Sequence, residues 1–221
     1  MSLVSIRPVI VLRNACVDAV GNRRLLLEID SLELFPGERI VITGPSGSGK
    51  SLLLATMTGR WANGLRFQGE RGANFSRIGV VPQRGLDAFH PLVPLDKQLR
   101  RVSCRSNIEV QDALVSVGLN DPLLWRRRPA ELSGGQVQRA AIALATLTRA
   151  PLILADEPTS ALDHASREQT TKLLKHVITD EQTLVVVTHD PRVANLLATR
   201  HLRIEAGRIS QIPLESHEQK I

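Results

Sequence analysis

Eight consecutive residues, Gly44-Pro45-Ser46-Gly47-Ser48-Gly49-Lys50-Ser51, have the types and spacing to handle phosphate. They fit G-x-x-x-x-G-K-[ST] at every fixed position. The glycines let backbone N–H groups turn inward toward a polyphosphate. A helix N-terminus after them adds unpaired donors and partial positive charge. Lys50 would reach the β- and γ-phosphates, and Ser51 would ligate Mg²⁺. The plainer alternative is a glycine-rich turn that happens to precede a lysine. The flanks argue against it: the apolar run Arg39–Thr43 leads in and Leu52–Met57 leads out, giving strand, turn and helix.

Further reactive side chains are expected at the ends of strands. Asp156-Glu157 follows the apolar run Leu152–Ala155. Alternation along an extended chain sends two adjacent carboxylates to different sides. Asp156 would then face Mg²⁺, through water or Ser51, and Glu157 an attacking water. Thr188-His189 ends a valine-rich run and puts an imidazole near the same rim. Gln83, after Val80-Val81-Pro82, would offer an amide to the metal or its water. Taken singly, such a carboxylate is as often a helix cap, and such a histidine a satisfied structural residue. Together with a phosphate loop they form a catalytic set.

Leu132-Ser133-Gly134-Gly135-Gln136 is a helix start, with Ser133 as N-cap and Gln136 three residues on completing a capping box. Two glycines are more than a cap needs. They leave N–H groups bare and make this tip a second anion site. One nucleotide has no evident way to use both sites within one monomer.

These residues need a frame. Val9–Leu12 reads as a short strand, Leu25–Leu34 as a partly alternating one, with a turn at Gly21-Asn22 between them and another at Pro36-Gly37-Glu38. Ile78–Val81 is a buried strand ended by Pro82. From Arg84 to Pro129 strand-like runs vanish; Leu95–Val102 and Ile108–Val117 have helical spacing between prolines. After Ser133 the alternation resumes: helix Gln136–Thr148, strand Leu152–Ala155, helix Ala165–Ile178, strand Thr183–Val187, short helix Val193–Ala198. A hairpin then spans His201–Glu205 and Ile209–Pro213 about Ala206-Gly207. Buried strands alternating with helices predict an α/β fold with a mostly parallel sheet covered on both faces.

Composition bounds the function. The chain has 221 residues, 43% hydrophobic and 23% charged, with 3% aromatics and no Tyr. Its core must rest on Leu, Ile, Val and Ala. A net charge of +6 invites a nucleic-acid reading. No aromatics interleave with the bases, however, and polyphosphates or anionic membrane surfaces favour basic proteins equally. No nucleic-acid partner is expected. Cys16 and Cys104 lack metal-ligand spacing and read as free thiols. No signal-like segment or membrane-length apolar stretch is seen, so the expected location is the cytoplasmic face of the membrane, held peripherally.

Gly44–Ser51, Gln83, Leu132–Gln136, Leu154–Ser160, Ala161-Leu162-Asp163 and His189 resemble, in order and spacing, the nucleotide-binding subunits of ATP-binding cassette (ABC) transporters, over roughly residues 9 to 213. The resemblance implies a P-loop NTPase with an N-terminal antiparallel β subdomain, a core at about 1–83 and 130–213, an inserted helical subdomain at about 84–130 and a polar tail at 214–221. It implies ATP and Mg²⁺ as ligands, and a head-to-tail dimer with ATP between one phosphate loop and the other subunit's Ser133-Gly134-Gly135-Gln136. Glu157 would be general base or water-positioning residue, His189 the γ-phosphate sensor, and Asp163 an interface residue; Ser51, Gln83 and Asp156 would attend the metal. Expected partners are membrane permease subunits, a second copy or a paralogous ATPase, and a substrate-binding protein.

Pro82–Leu92 resembles the corresponding segment of oligopeptide, dipeptide and nickel importers, with Phe89 and His90 departing from it. Import of a peptide, metal or similar solute is therefore expected. The alternatives are a soluble ABC ATPase that remodels a cytosolic complex, and a regulatory module with little turnover. The presence of Glu157 and His189 argues against the last. Residues 18–22 hold no ring where family members stack adenine, so Val20 would give apolar contact only and GTP should compete unusually well.

Overall fold

The computed structural model describes residues 6–21, 24–160 and 164–214. Among them run β1 (Ile10–Ala19), β2 (Leu25–Leu34), β3 (Arg39–Thr43), α1 (Lys50–Thr58), β4 (Leu65–Ala73), β5 (Ile78–Val81), α2 (Leu95–Ser103), α3 (Asn107–Ser116) and α4 (Pro122–Trp125). They continue as α5 (Gly134–Leu147), β6 (Leu152–Asp156), α6 (His164–Val177), β7 (Thr183–Thr188), α7 (Pro191–Leu197), β8 (Arg200–Glu205) and β9 (Arg208–Ile212). The strands form one nine-stranded mixed sheet in the order β4-β1-β2-β9-β8-β3-β7-β6-β5. Neighbours from β8 to β5 run parallel, while β1 pairs antiparallel with both β2 and β4.

The central strands are short apolar runs because both their faces are covered. In β3, β6 and β7, Val41, Ile153, Ala155, Leu184 and Val186 join one apolar cluster with α5 and the helical insert. Their neighbours Ile40, Ile42, Leu152, Leu154, Val185 and Val187 join a second cluster with β1, β2 and α1. Each buried Leu, Ile or Val of these layers contributes about 1.5–3 kcal/mol relative to exposure. Small residues let α5 lie close to the sheet: a Cβ on Gly79 of β5 would stand 2.9 Å from the carbonyl oxygen of Ala145.

The insert holds helices only. Leu95 and Leu99 of α2, and Val110 and Leu114 of α3, are buried at i, i+4 spacing, the stripe of an amphipathic helix. Ser106 caps α3 with a reciprocal box to Glu109. Several elements differ from the sequence-based expectation, among them the one-turn α4, which had no predicted counterpart. β1 runs on to Ala19, and β4 had no predicted counterpart. Residues of β4 are half-buried or exposed throughout, so the strand carries little apolar signal. Its position is set by pairing with β1 and by Trp61, which stacks on Phe67 with ring centroids 4.8 Å apart.

Candidate active site and family

Parallel register carries the reactive groups to one edge. Thr43 pairs with Thr188 and Asp156 with Val187, so the phosphate loop, Glu157 and His189 all leave the sheet together. The phosphate loop and Glu157 border a cleft of about 410 Å³ lined by Ser46, Gly47, Gly49, Lys50, Ser51, Gln83, Asp156 and Glu157, with Leu26 and Leu52 at its side; His189 reaches it through Glu157. Phosphate-loop and carboxylate predictions thus meet in space.

The Lys50 side chain is 8% exposed. It donates to the carbonyls of Gly44 (2.9 Å) and Pro45 (3.0 Å) and stands 3.5 Å from Glu157 Oε1. Glu157 Oε2 lies 2.7 Å from His189 Nδ1. Lys50, Glu157 and His189 therefore form one chain of charge and hydrogen bonding. Asp156 turns to the other partner: Ser51 Oγ donates to its Oδ2 at 3.3 Å. The strict alternation expected for Asp156-Glu157 does not hold. Both carboxylates line the cleft, because Glu157 leaves the strand in the left-handed region, at φ 45°. Such a conformation costs on the order of 1–3 kcal/mol and persists only where its surroundings enforce it. Here the Glu157 N–H donates to Val187 O, and its carbonyl accepts from both the N–H and Oγ of Ser160.

Burial pushes the Asp156 carboxyl above its ordinary range, and the charge of Glu157 adds to this; the Ser51 hydroxyl and Lys50 pull it back. A hydroxyl facing a partly buried carboxylate, with the Gln83 amide beside them, is an oxygen donor set of the kind Mg²⁺ takes together with phosphate oxygens. Among the described residues no group of three or more His, Cys, Asp or Glu is arranged to hold a metal ion by itself. Among the described residues Ser48 Oγ, though buried, has no hydrogen-bond partner, and a Cβ on Gly47 would meet nothing within 4 Å. The loop thus keeps a spare polar group and open room at its apex, as a polyphosphate cradle requires.

Two residues outside the predicted set tie this edge to its neighbours. Ser160 Oγ accepts from Gln83 Nε2 at 3.1 Å, joining that glutamine to the backbone of Glu157. Gln138, 2% exposed, donates to the carbonyl of Pro82. Its signal in the sequence is a polar residue within the apolar stripe of α5; that of Ser160 is a hydroxyl three residues after Glu157.

The Ser133 tip forms as expected. Ser133 N–H donates to Gln136 Oε1 at 2.9 Å, and Ser133 Oγ accepts from Gln136 N–H at 3.2 Å. None of Ser133, Gly134, Gly135 or Gln136 lines the phosphate cleft. A Cβ on either glycine would meet nothing within 4 Å among the described residues. Asp163 lies outside the described residues. Val20, with its side of the chain open, is 60% exposed.

Comparison with known proteins agrees with this geometry. The family model described as ABC transporter matches residues 27–160. The macrolide export ATP-binding/permease protein MacB of Azoarcus sp. (strain BH72) is 37% identical over 215 residues, 89% of this chain. The chain spans only 32% of that relative's length. The lipoprotein-releasing system ATP-binding protein LolD of Pseudomonas syringae pv. tomato (strain ATCC BAA-871 / DC3000) is 36% identical, over 80% of this chain and 86% of its own. Among solved structures, the dimeric ATP-binding cassette MJ0796, in a post-hydrolysis state bound to ADP and Pi, superposes with a TM-score of 0.73 at 28% identity. That match covers 92% of this chain and 99% of the other. The chain belongs to the ABC transporter family, as an ATPase cassette that takes ATP with Mg²⁺.

Proposed function

We propose that the chain is the ATP-hydrolysing subunit of a transporter whose membrane-crossing parts are separate, and that it works as a head-to-tail pair. The observation that carries this reading is the Ser133 tip. Gly134 and Gly135 cost helix stability and answer to no contact among the described residues. Their use lies outside the chain, where a phosphate on a second subunit's loop can approach bare N–H groups. The second subunit is another copy or a paralogue.

Within one half, Lys50 swings from the Gly44 and Pro45 carbonyls to the β- and γ-phosphates. Ser51 and Asp156, with Gln83 beside them, would hold Mg²⁺, which when bound would supply charge neutralisation to the phosphates. Glu157 orients the attacking water and accepts its proton, and His189 holds that carboxylate and senses the γ-phosphate. Catalysis is positioning and electrostatics. Asp163 acts across the interface. The division into a core at about 1–83 and 130–213 and a helical subdomain at about 84–130 lets closure of the pair move the helices against a membrane partner. The base rests on Val20 without stacking, so GTP competes with ATP.

The importer branch expected from Pro82–Leu92 loses its support. Phe89 is 9% exposed and packs in the first apolar cluster. His90 Nδ1 accepts from Leu92 N–H, and its backbone N–H donates to Gln98 Oε1. Both depart from the importer pattern and serve local packing. MacB and LolD, by their names, export macrolides and release lipoproteins. We take the membrane partner to be of that kind, with this chain seated on it peripherally from the cytoplasmic side.

Copurification from membranes tests the assignment. A tagged chain with Glu157→Gln should bring down a multi-span membrane protein in the presence of Mg²⁺ and ATP. Recovery of a substrate-binding protein with it would restore the importer reading. Recovery only with soluble proteins would overturn transport.

A further inference from the structure

We infer that the turn of the C-terminal hairpin, Ala206-Gly207, is a positioning element for the phosphate loop, with Gly207 the residue that sets it. Gly207 is buried although it sits in a hairpin turn between β8 and β9. Its N–H donates to the carbonyl of Ser48 at 3.0 Å, inside the phosphate loop. Its own carbonyl accepts from Glu28 N–H of β2 at 2.8 Å. One residue thus joins the phosphate loop to the N-terminal sheet by two backbone hydrogen bonds. The Arg208–Glu28 ion pair, at 2.7 Å, closes the same joint from its outer side.

Steric contact makes the joint specific to glycine. A Cβ on Gly207 would overlap the carbonyl oxygen of Leu26, a backbone atom that cannot rotate away, and Leu26 itself lines the phosphate cleft. The hairpin also closes on the loop from beneath. A Cβ on Gly44 would overlap Ile204 O, and one on Gly49 would stand 3.2 Å from Ile204 Cδ1. The loop therefore takes its shape from strand β8 and its turn, about 160 residues further along the chain, as well as from β3 and α1. Gly207 touches no ligand in this account; it acts through Ser48. The inference rests on the phosphate loop being a nucleotide site, and its test separates the two.

Gly207 has φ 79°, so an ordinary substitution there disturbs the turn as well as the contact. Asn separates these effects, because Asn adopts the left-handed region readily yet still brings a Cβ against Leu26. Dissociation constants for ADP and for a non-hydrolysable ATP analogue are measured on wild type, Gly207→Asn, Gly207→Ala and Ala206→Gly, with melting temperatures taken without nucleotide. Both Gly207 variants should bind on the order of tenfold more weakly, the scale of one backbone hydrogen bond and its alignment. Ala206 is exposed, and Ala206→Gly should bind like wild type. Lowered melting temperatures with wild-type dissociation constants in the folded Gly207 variants would make the turn merely structural and overturn the inference. If the Gly207 variants do not fold, Arg208→Gln reads the same joint from its outer side: weakened nucleotide binding at wild-type stability supports it, and unchanged binding overturns it. Failure of the wild-type chain to bind nucleotide would instead sink the functional reading.

Discussion

The phosphate loop and the Ser133 tip are both glycine-rich helix starts, yet their glycines answer to different neighbours. At Gly44 an added Cβ would run into the backbone of Ile204, and at Gly49 it would press on that residue's side chain. At Gly134 and Gly135 it would meet none of the described residues. Close packing explains the first pair within the chain. The second pair is left without an internal reason, and a helix bearing two needless glycines at its first turn gives up stability. The contrast separates a site that the chain builds for itself from a surface that it offers to another molecule.

Substitution by alanine breaks or sharpens this contrast. Gly44→Ala should lower nucleotide affinity on the order of a hundredfold, since the displaced loop misplaces its donors. It should also lower the melting temperature by roughly 5–10 °C, an overpacking cost spread over a domain of this size. Gly134→Ala with Gly135→Ala should do the reverse to stability, leaving it unchanged or raising it by up to about 1 kcal/mol. Nucleotide binding by the isolated chain should stay as in wild type, while ATP turnover falls at least about tenfold through the crowded interface. Binding and turnover assays beside thermal melts check both. Equal losses of stability at the two sites would erase the distinction.

Asp156→Asn gives a smaller and opposite pair of effects. Burial raises the folded-state pKa of Asp156, so its stabilising contribution is full at low pH and lost as pH rises through that value. Without nucleotide, the Asn variant should melt above wild type at neutral pH, and the two should converge in acid. Its Mg²⁺-dependent gain in nucleotide affinity should shrink on the order of tenfold or more. A variant that melts lower at neutral pH would contradict the burial argument.

The smallest effect is expected at His201, beneath the loop. Its Nε2 lies 2.8 Å from Thr43 Oγ1, and burial, with the charge of Arg203, lowers its pKa. A depressed pKa gives stability that is present above the unfolded value of about 6.5 and is lost as pH falls through the folded one. His201→Gln keeps a donor to Thr43 and should flatten the fall in melting temperature below about pH 6.5. An unchanged slope would place the acid sensitivity elsewhere.

Much of this was legible in the sequence because local chemistry and periodicity agreed. Leu25–Leu34 and Arg39–Thr43 carry apolar patterns that survive as β2 and β3, and Ser133 with Gln136 announces the start of α5. Leu65–Ala73 did not announce itself, since an exposed edge strand needs only a paired neighbour. The long-range parts of the site were equally silent. Nothing in the order of residues says that Ser160 holds Gln83, or that Gly207 supports Ser48. The left-handed turn at Glu157, which aims two adjacent carboxylates into one cleft, depends on Val187 and Ser160 together and has no sequence signal of its own.

The most direct test of the central claim is the mass of the Glu157→Gln chain in solution, by light scattering or sedimentation, with and without Mg²⁺ and ATP. The substitution should cut turnover on the order of 10²–10³-fold and hold the closed state. The account predicts a mass that doubles with nucleotide, alone or with a paralogue supplied, and that fails to double when Gly134 and Gly135 carry side chains. A chain that binds nucleotide yet keeps its monomer mass under all these conditions would contradict it.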